Sequence, residues 1–352
     1  MRPIGIVANP TSGKDVRRLL TNAGTSSLED KVNVVRRLVV GAFEAGATRF
    51  LVLPEPHGIM RRARRTLTFT DDLEVVGAVT ARHHDERDTV AAAAAMRAAG
   101  CAAVVVLGGD GTNRAVALGW PDAPLIALST GTNNAFPDAT EATVAGAAAG
   151  HLATGAAELG DVAAPAKVVR VEVEGEEDDI ALVDAVLLRE PSVALGSLKP
   201  FDPAVLATAV LARAEPAAVG VSSIGGVLAP NLPAEDSGVA VTFAPVGNGA
   251  VHMVRAPLAP GSFSDVGVTG WRALALGEPV TVEGPGLLAF DGDRRRVLGD
   301  GQRAVLRVER TGPRVIDIGL LLRSDTVRSR WLRPLTGERE ARRTLGGGSA
   351  AG

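Results

Sequence analysis

The stretch VVVLGGDGTNRAVALG, Val104–Gly119, contains the pattern that decides the fold. An apolar run from Ala102 to Leu107 ends in two glycines, an aspartate, a third glycine and a threonine. A continuous apolar run is typical of a buried parallel strand, and the residues that follow have a helical pattern. In open α/β sheets, ligands bind where such strands end. The stretch therefore predicts a strand, a glycine turn and a helix, with a binding site at the turn.

The residues around this stretch alternate in the same way. The apolar runs IGIVAN, RFLVLP, LEVVGAV and PLIALS are separated by segments of helical character. Asp88 and Thr89 suit the N-cap of the alanine-rich segment, and Gly100 suits its end. This order predicts a Rossmann-like parallel sheet with helices on both faces.

After about Gly155 the pattern changes to valine-rich pieces of period two, separated by Gly and Pro. This pattern predicts an antiparallel β domain with one helical interruption, near Pro203–Ala214. We therefore expect an α/β plus β protein. Its parts are an N-terminal α/β domain at 1–145, a β-rich domain at 146–315, a segment at 316–345 returning to the first domain, and a flexible tail at 346–352.

Composition excludes several classes of partner. The 37 basic and 40 acidic residues give a net charge of −3, and the basic residues form no broad cationic face for nucleic acid or anionic lipid. The single Cys101 suits a packed, reduced thiol. We find no signal-peptide pattern at the start and no apolar window of the roughly 20 residues that a membrane span needs. We expect a cytoplasmic homo-oligomer that binds a small molecule, with no nucleic-acid or membrane partner.

The glycine turn has the composition of an anion cradle with an acid inside it. Gly108, Gly109 and Gly111 allow backbone N–H groups to approach a phosphate closely. The carboxylate of Asp110 would repel phosphate, so it should face a metal ion or a hydroxyl whose proton it accepts. The alternative is structural, since Asp-Gly is also an ordinary turn pair and an aspartate often caps a helix.

A second candidate phosphate loop lies at Val7–Asp15, VANPTSGKD. It is not a Walker A motif, because Ala8 stands where that motif needs glycine and Asp15 stands where it needs Ser or Thr. A strand followed by Asn9, Pro10, Gly13 and a helix nevertheless predicts a phosphate-binding nest. The alternative is a plain βα turn in which Asn9 acts as a cap.

Other polar clusters are less specific. We interpret His83–Glu86 as a solvated run before a helix, and not as a zinc site. His151 and His252 are isolated, as expected of surface or core histidines. Asp291, within FDGD, either binds ligand at a domain edge or forms a hairpin turn, and the sequence leaves both possibilities open.

These motifs resemble those of a known superfamily. GGDGT at Gly108–Thr112 resembles the signature of the ATP-NAD kinase and diacylglycerol kinase superfamily, and VANPTSGKD resembles its N-terminal phosphate loop. LSTGTNNAFP, Leu128–Pro137, resembles in particular the acetoin catabolism protein X branch. LVDAVLL, VSSIGG and FDGD fall where NAD kinases carry an Asn-acid pair, a Thr-Gly-Ser-Thr-like turn and a late Asp-Gly.

The resemblance implies an NAD kinase-like fold and transfer of a phosphoryl group from ATP, with Mg²⁺, to the 2′-hydroxyl of NAD or a related nucleotide. Asp110 is then the catalytic residue, as base or as Mg²⁺ partner. The implied nucleotide- and phosphate-binding residues are Asn9, Gly13, Gly108, Gly109, Gly111, Thr112 and Asn113. The implied substrate-binding residues are Thr132, Asn133, Asn134, Asp184, Ser222, Ser223 and Asp291.

Two departures from the NAD kinase pattern lie at positions implied to bind the molecule that receives the phosphoryl group. Val183 stands where NAD kinases have an asparagine, although the acid, Asp184, is present. The Ser222-Ser223 turn lacks the threonine expected there. Two alternatives follow, a kinase of another small alcohol or lipid on the same fold, and a catalytically weak nucleotide-binding regulatory protein.

Overall fold

The first half of the chain and one strand from near its end form a seven-stranded sheet, sheet 1, in the computed structural model, which describes residues 1–12, 27–129, 134–189, 202–292 and 294–332. Six of its strands are mutually parallel, and the seventh, at one edge, is antiparallel to its neighbour. The predicted parallel sheet is confirmed. In spatial order its strands are β3 (Glu74–Gly77), β2 (Arg49–Val52), β1 (Ile4–Ala8), β4 (Ala103–Gly108), β5 (Pro124–Ser129), β18 (Arg314–Ile316) and β6 (Ala163–Pro165).

Helices cover both faces of sheet 1, as predicted. On one face α1 (Leu28–Glu44) and α5 (Ala142–Ala153) share a core with Val105 and Leu107. On the other face α3 (Glu86–Ala98) and α4 (Asp110–Gly119) pack on Val104 and Val106. Alternate residues of β4 thus enter opposite cores, which explains its unbroken apolar sequence. Short helices follow at α2 (Ile59–Arg64) and α6 (Leu159–Val162).

The expected cap of α3 is wrong by three residues. Asp85 is the N-cap, and its carboxylate accepts the Arg87 N–H at 2.9 Å. Asp88 lies in the first turn instead, and its carboxylate accepts backbone N–H groups of the loop residues 82–84. That loop folds back onto the helix, so the Asp88 carboxylate binds the loop backbone and Asp85 caps the helix.

The second half of the chain forms two antiparallel sheets, as the period-two pattern predicted. Sheet 2, in spatial order, contains β12 (His252–Ala259), β13 (Ser262–Ala275), β11 (Ser237–Phe243), β10 (Leu206–Leu211), β9 (Asp184–Leu188), β15 (Gly286–Phe290) and β16 (Arg294–Leu298). Sheet 3 contains β14 (Pro279–Glu283), β17 (Arg303–Glu309), β7 (Val168–Val173) and β8 (Asp179–Ala181).

The helical interruption of this β region is not where the sequence predicted it. Pro203–Ala214 contains only the 3₁₀ turn Pro203–Val205 before β10, whereas the helix α7 spans Val221–Leu228. A Cβ on Gly225 would lie 2.1 Å from Leu211 Cδ1, and one on Gly226 would lie 2.2 Å from the Pro216 nitrogen. The glycines that favoured a turn prediction therefore allow a helix to pack closely against sheet 2.

The chain returns to sheet 1 through β18, which pairs with both β5 and β6. Two short helices follow, α8 (Ile318–Arg323) and α9 (Asp325–Trp331). The proposed domain limits at 145 and 315 remain predictions, and residues 333–352, including the predicted tail, lie outside the described residues. Within the described ranges, every helix is too short or too polar to cross a membrane.

Arg114 on α4 connects the two halves of the chain. Its side chain is 2% exposed and contacts Glu86 in the first half at 2.7 Å. It also forms an ion pair with Asp179 and donates to the Ile180 carbonyl, both on β8. A buried guanidinium needs such partners, so this cluster fixes α4 against sheet 3.

The close contact between α1 and α5 gives a test of the fold. A Cβ on Gly146 would lie 1.9 Å from the Leu38 carbonyl oxygen, so Gly146→Ala should destabilise the protein by about 1–3 kcal/mol, as overpacking does. Denaturant unfolding measures this. Gly160→Ala, where an added Cβ meets nothing within 4 Å, is the control and should leave stability unchanged or slightly raised. Equal stability of the two variants would contradict the helix packing.

Candidate active site

The glycine turn at the end of β4 leads directly into α4. Gly109 is the N-cap and Asp110 is the first helical residue. A Cβ on Gly108 would lie 2.6 Å from the Thr112 side chain, and one on Gly109 would lie 2.8 Å from Asn134 Oδ1. At Gly111 an added Cβ would meet nothing within 4 Å. Packing within the protein therefore explains why residues 108 and 109 are glycine. It does not explain why residue 111 is glycine.

Asp110 points away from its own helix. Its carboxylate accepts the backbone N–H of Phe136 at 2.9 Å and that of Ala135 at 3.1 Å, both in the segment after β5. Since Gly109 is the cap, the structural alternative of Asp110 as the cap of α4 does not describe this helix. The structure holds the carboxylate at the carboxyl edge of sheet 1, where ligands bind in such folds.

Three aspartates from distant parts of the sequence meet at this edge. Burial and the neighbouring Asp291 carboxylate raise the pKa of Asp110 to about 7. Burial, followed by the charges of Asp291 and Asp110, raises the pKa of Asp184 well above 3.8. Burial also raises the pKa of Asp291. Clustered carboxylates with raised pKa values are common at functional sites, where they act as acids or bases.

Asp291 lies in the turn between β15 and β16 and has a φ of 50°. Its carboxylate accepts N–H groups from Leu182 at 2.9 Å and Val183 at 2.8 Å, and a longer one from Asp184 at 3.4 Å. Of the two alternatives for Asp291, the hairpin turn is thus present in the structure. Ligand binding by Asp291 stays a prediction.

Asp184 differs from its two neighbours because nothing holds its carboxylate. The residue is 7% exposed, yet within the described ranges its side chain has no hydrogen-bond or ion-pair partner. A buried charged group without a partner is costly, and native proteins usually avoid one. The carboxylate of Asp184 therefore has hydrogen-bonding capacity that the described residues do not use.

Val183, next to Asp184, faces the protein interior. It is 2% exposed and belongs to the same apolar cluster as Val106 and Phe136. The position where NAD kinases carry an amide is therefore a packing position here. A substrate bound at this turn would contact Asp184 with no side-chain amide beside it.

Asn9 links the predicted phosphate loop to α4. Its Nδ2 donates to Thr112 Oγ1 at 2.9 Å. Its Oδ1 accepts the N–H groups of Thr11 and Ser12 at 2.9 and 3.2 Å, in the manner of an Asx turn. Asn9 thus stabilises the βα turn that follows β1, as the structural alternative predicted. It also joins the two candidate phosphate-binding segments. A ligand role for Asn9 stays a prediction.

The remaining predicted residues make contacts within the protein or lie outside the described part. Asn113 donates to the Gly109 carbonyl, and Asn134 donates to Ser129 Oγ. Ser222 and Ser223 lie on α7, and their hydroxyls donate to the carbonyls of Arg213 and Gly220. Their roles in binding stay predictions. Gly13, Thr132 and Asn133 lie outside the described residues.

Two basic side chains at the site were not identified from the sequence. Lys31 on α1 is buried, and its ammonium donates to the Pro10 carbonyl at 2.8 Å and the Ser12 carbonyl at 2.6 Å. Arg213, just after β10, donates to the carbonyl of Ala135 at 3.1 Å. A lysine in an amphipathic helix and an arginine at a strand end are ordinary surface patterns, so only the tertiary contacts reveal them.

The donor set fits a magnesium ion that arrives with a phosphate ligand. Within the described ranges no group of three or more His, Cys, Asp or Glu could hold a metal. Mg²⁺ in proteins commonly takes one or two carboxylates together with waters and substrate phosphates, and Asp110 offers one such carboxylate. The described residues thus suit a shared, substrate-borne Mg²⁺ better than a permanent metal centre.

Cavity size does not identify this site. A cavity of about 530 Å³ is lined by Met1, Arg2 and the loop that follows α5. Met1 and Arg2 precede β1, so the cavity lies at the amino edge of sheet 1. This is opposite the edge where β4 ends at Gly108. The acidic cluster, and not the cavity, therefore marks the candidate active site.

Comparisons with known proteins find relatives of both halves of the chain. Residues 4–156 match the ATP-NAD kinase N-terminal domain, and residues 167–311 match the acetoin catabolism protein X C-terminal domain. The chain is 38% identical over 335 residues to acetoin catabolism protein X of Cupriavidus necator, covering 91% of each chain. Its structure resembles yeast NADH kinase complexed with NADH, with a TM-score of 0.52, 14% identity and coverage of 96% of this chain and 90% of that chain. The structural likeness shows the predicted NAD kinase-like fold.

The unpartnered carboxylate of Asp184 predicts a pH-dependent gain in stability for Asp184→Asn. In the folded wild type the pKa lies above 3.8, so the unfolded chain loses this proton at lower pH and stability falls as pH rises above about 4. The variant has no carboxyl group at position 184 and does not lose stability in this way. Its free energy of unfolding should exceed that of the wild type by little near pH 4 and by on the order of 1 kcal/mol at pH 8.

Chemical denaturation at several pH values measures this difference. Asp300→Asn, which changes an exposed aspartate, is the control and should follow the wild type across the range. An Asp184→Asn protein that is less stable than the wild type at pH 8 would show that the carboxylate has a partner after all.

Proposed function

The chain belongs to the acetoin catabolism protein X family, and from this premise we propose that it is a small-molecule kinase that transfers a phosphoryl group from ATP to a hydroxyl of NAD or a related nucleotide. One observation carries the proposal. Asp110, whose pKa is raised to about 7, lies beside Asp184, a buried carboxylate without a partner among the described residues. A hydroxyl-bearing substrate supplies a hydrogen-bond donor for Asp184.

Asp110 has the properties of a general base for this transfer. A pKa of about 7 leaves a substantial fraction of the carboxylate ionised at neutral pH while keeping it basic enough to accept a hydroxyl proton. In the proposed step the acceptor oxygen forms a bond to the γ-phosphorus, the bond from that phosphorus to the leaving oxygen of ADP breaks, and the hydroxyl proton passes to Asp110. The Ala135 and Phe136 amides keep the carboxylate oriented throughout.

Asp184 and the glycine turn have different tasks in this proposal. Asp184 accepts a hydrogen bond from a second hydroxyl of the acceptor, as a ribose provides, and so orients the attacking oxygen. The open space at Gly111, at the N-terminus of α4, suits the phosphates of a nucleotide. Mg²⁺, when bound with ATP beside Asp110, would neutralise charge on the transferring phosphoryl group.

NAD is the preferred acceptor class for two reasons. The N-terminal half matches the ATP-NAD kinase N-terminal domain, and the structural relative is a kinase of NADH. The buried Val183 removes one contact that NAD kinases make, so we expect weaker selection for NAD than in those enzymes.

The first test is phosphate transfer itself. With Mg²⁺ and labelled ATP, the wild type should convert NAD to NADP, and Asp110→Asn should lower kcat by about 10²–10⁴-fold while ATP still binds, because only the proton acceptor is lost. Asp300→Asn should keep full activity. Transfer that persists in the presence of a chelator would contradict the role of Mg²⁺.

Other results would select the alternatives. If NAD raises the melting temperature but no NADP forms, the chain is a nucleotide-binding regulatory protein. If NAD neither binds nor reacts while another alcohol or a lipid is phosphorylated, the acceptor assignment is wrong. Equal turnover by the wild type and Asp110→Asn would exclude Asp110 as the base.

The second test uses Gly111. The backbone there is helical and an added methyl group meets no protein atom, so Gly111→Ala should leave folding unchanged or slightly more stable. A nucleotide phosphate at the helix start would meet that methyl group. We therefore expect at least about a tenfold weaker affinity for Mg²⁺-ATP by calorimetry, about 1.4 kcal/mol. Unchanged affinity would place the phosphates elsewhere, and Gly160→Ala serves as the control.

A further inference from the structure

Arg213 reaches from the β-rich half of the chain to the segment that holds Asp110. Its Nη1 donates to the carbonyl of Ala135 at 3.1 Å and approaches that of Phe136 at 3.4 Å. Its guanidinium carbon lies 4.3 Å from the centroid of the Phe136 ring, a cation–π contact. The side chain is thus fixed against this segment by both polar and aromatic contacts.

One peptide group connects Arg213 to Asp110. The carbonyl of Ala135 and the N–H of Phe136 belong to the same peptide bond. Arg213 donates to the oxygen of that group, and Asp110 accepts its N–H at 2.9 Å. A cation at one end and an anion at the other polarise the peptide in the same direction, so each hydrogen bond strengthens the other.

The backbone of Arg213 is itself held in place. Its N–H donates to the Val183 carbonyl at 3.3 Å, and its carbonyl accepts the Ser222 hydroxyl at 2.8 Å. Val183 precedes Asp184, so the same turn supports both the unpartnered carboxylate and the arginine. Ser222 therefore has a structural contact that explains its burial, at 2% exposure.

We propose that Arg213 is a positioning residue for the phosphoryl transfer proposed above, holding the Asp110 carboxylate through the 135–136 peptide and joining the two halves of the chain over the site. The inference rests on that proposed function for its kinetic consequence alone. The relay from guanidinium to peptide to carboxylate is a property of the fold, and it can be measured without any turnover.

Two variants test the kinetic role. Arg213→Met removes the donor and the charge, and should lower kcat by about 10–10²-fold while the KM values for ATP and NAD change less than about threefold. Arg213→Lys restores a charged donor and should recover part of kcat. A rise in KM with unchanged kcat would mean that Arg213 binds the substrate directly, and would overturn the inference.

A matched control separates this effect from general damage to the sheet. Arg189 also donates to two backbone carbonyls, those of Leu206 at 2.5 Å and Phe243 at 2.7 Å, without contacting the 135–136 peptide. Arg189→Met should keep the wild-type kcat. In an Asp110→Asn background, Arg213→Met should cause little further loss, because the two residues act as a unit. Fully additive losses would argue against the relay.

The second readout does not depend on activity. Amide hydrogen exchange, followed by NMR, should show the Phe136 N–H exchanging at least about tenfold faster in Arg213→Met than in the wild type or in Arg189→Met. If exchange accelerates but neither NAD nor a related nucleotide is phosphorylated, the relay stands and the proposed function fails. If NAD is phosphorylated but Phe136 exchange and kcat are both unchanged in Arg213→Met, the relay is wrong and the proposed function stands.

Discussion

Repulsion among Asp110, Asp184 and Asp291 is the constraint around which the candidate site is built. Backbone amides satisfy two of these carboxylates, three N–H groups for Asp291 and two for Asp110. Asp184 receives none within the described residues. This unequal distribution of donors fixes two of the acids and leaves the third without a protein donor among the described residues. The cost in stability is the kind that functional sites commonly carry.

Two arginines compensate the negative charge, and both cross between the halves of the chain. Burial raises the pKa of Asp291, and the charge of Arg114, on α4, partly offsets that rise; Arg114 also pairs with Asp179 on β8. Burial likewise raises the pKa of Asp110, and the charge of Arg213, after β10, partly offsets it while Arg213 donates to the segment after β5. Buried ion pairs contribute little net stability on average, but their geometry is specific. These charges therefore orient the two halves of the chain relative to each other.

The sequence predicted the parts of the fold in which local pattern and tertiary role agree. The apolar run of β4 and the glycine turn indicated the strand, the helix and the acid at their junction. The helix α7 could not be found this way, because Gly225 and Gly226 are poor helix formers whose value lies in close packing on Leu211 and Pro216. Arg213 gave no signal, since its partners are carbonyls 77 and 78 positions away.

The proposed base and the proposed acceptor contact come from different parts of the chain. Asp110 lies on α4 and is held by the segment after β5, whereas Asp184 begins β9 beside the buried Val183. The Val183 carbonyl supports Arg213, which in turn contacts the peptide that holds Asp110, so the backbone of the β8–β9 turn is coupled to both, whereas the side chain at position 183 is not. The apolar residue at position 183 retains the acid and replaces the adjacent polar contact with packing. The chemistry proposed for Asp110 therefore depends on the backbone of the 183–184 turn and not on a polar side chain at position 183.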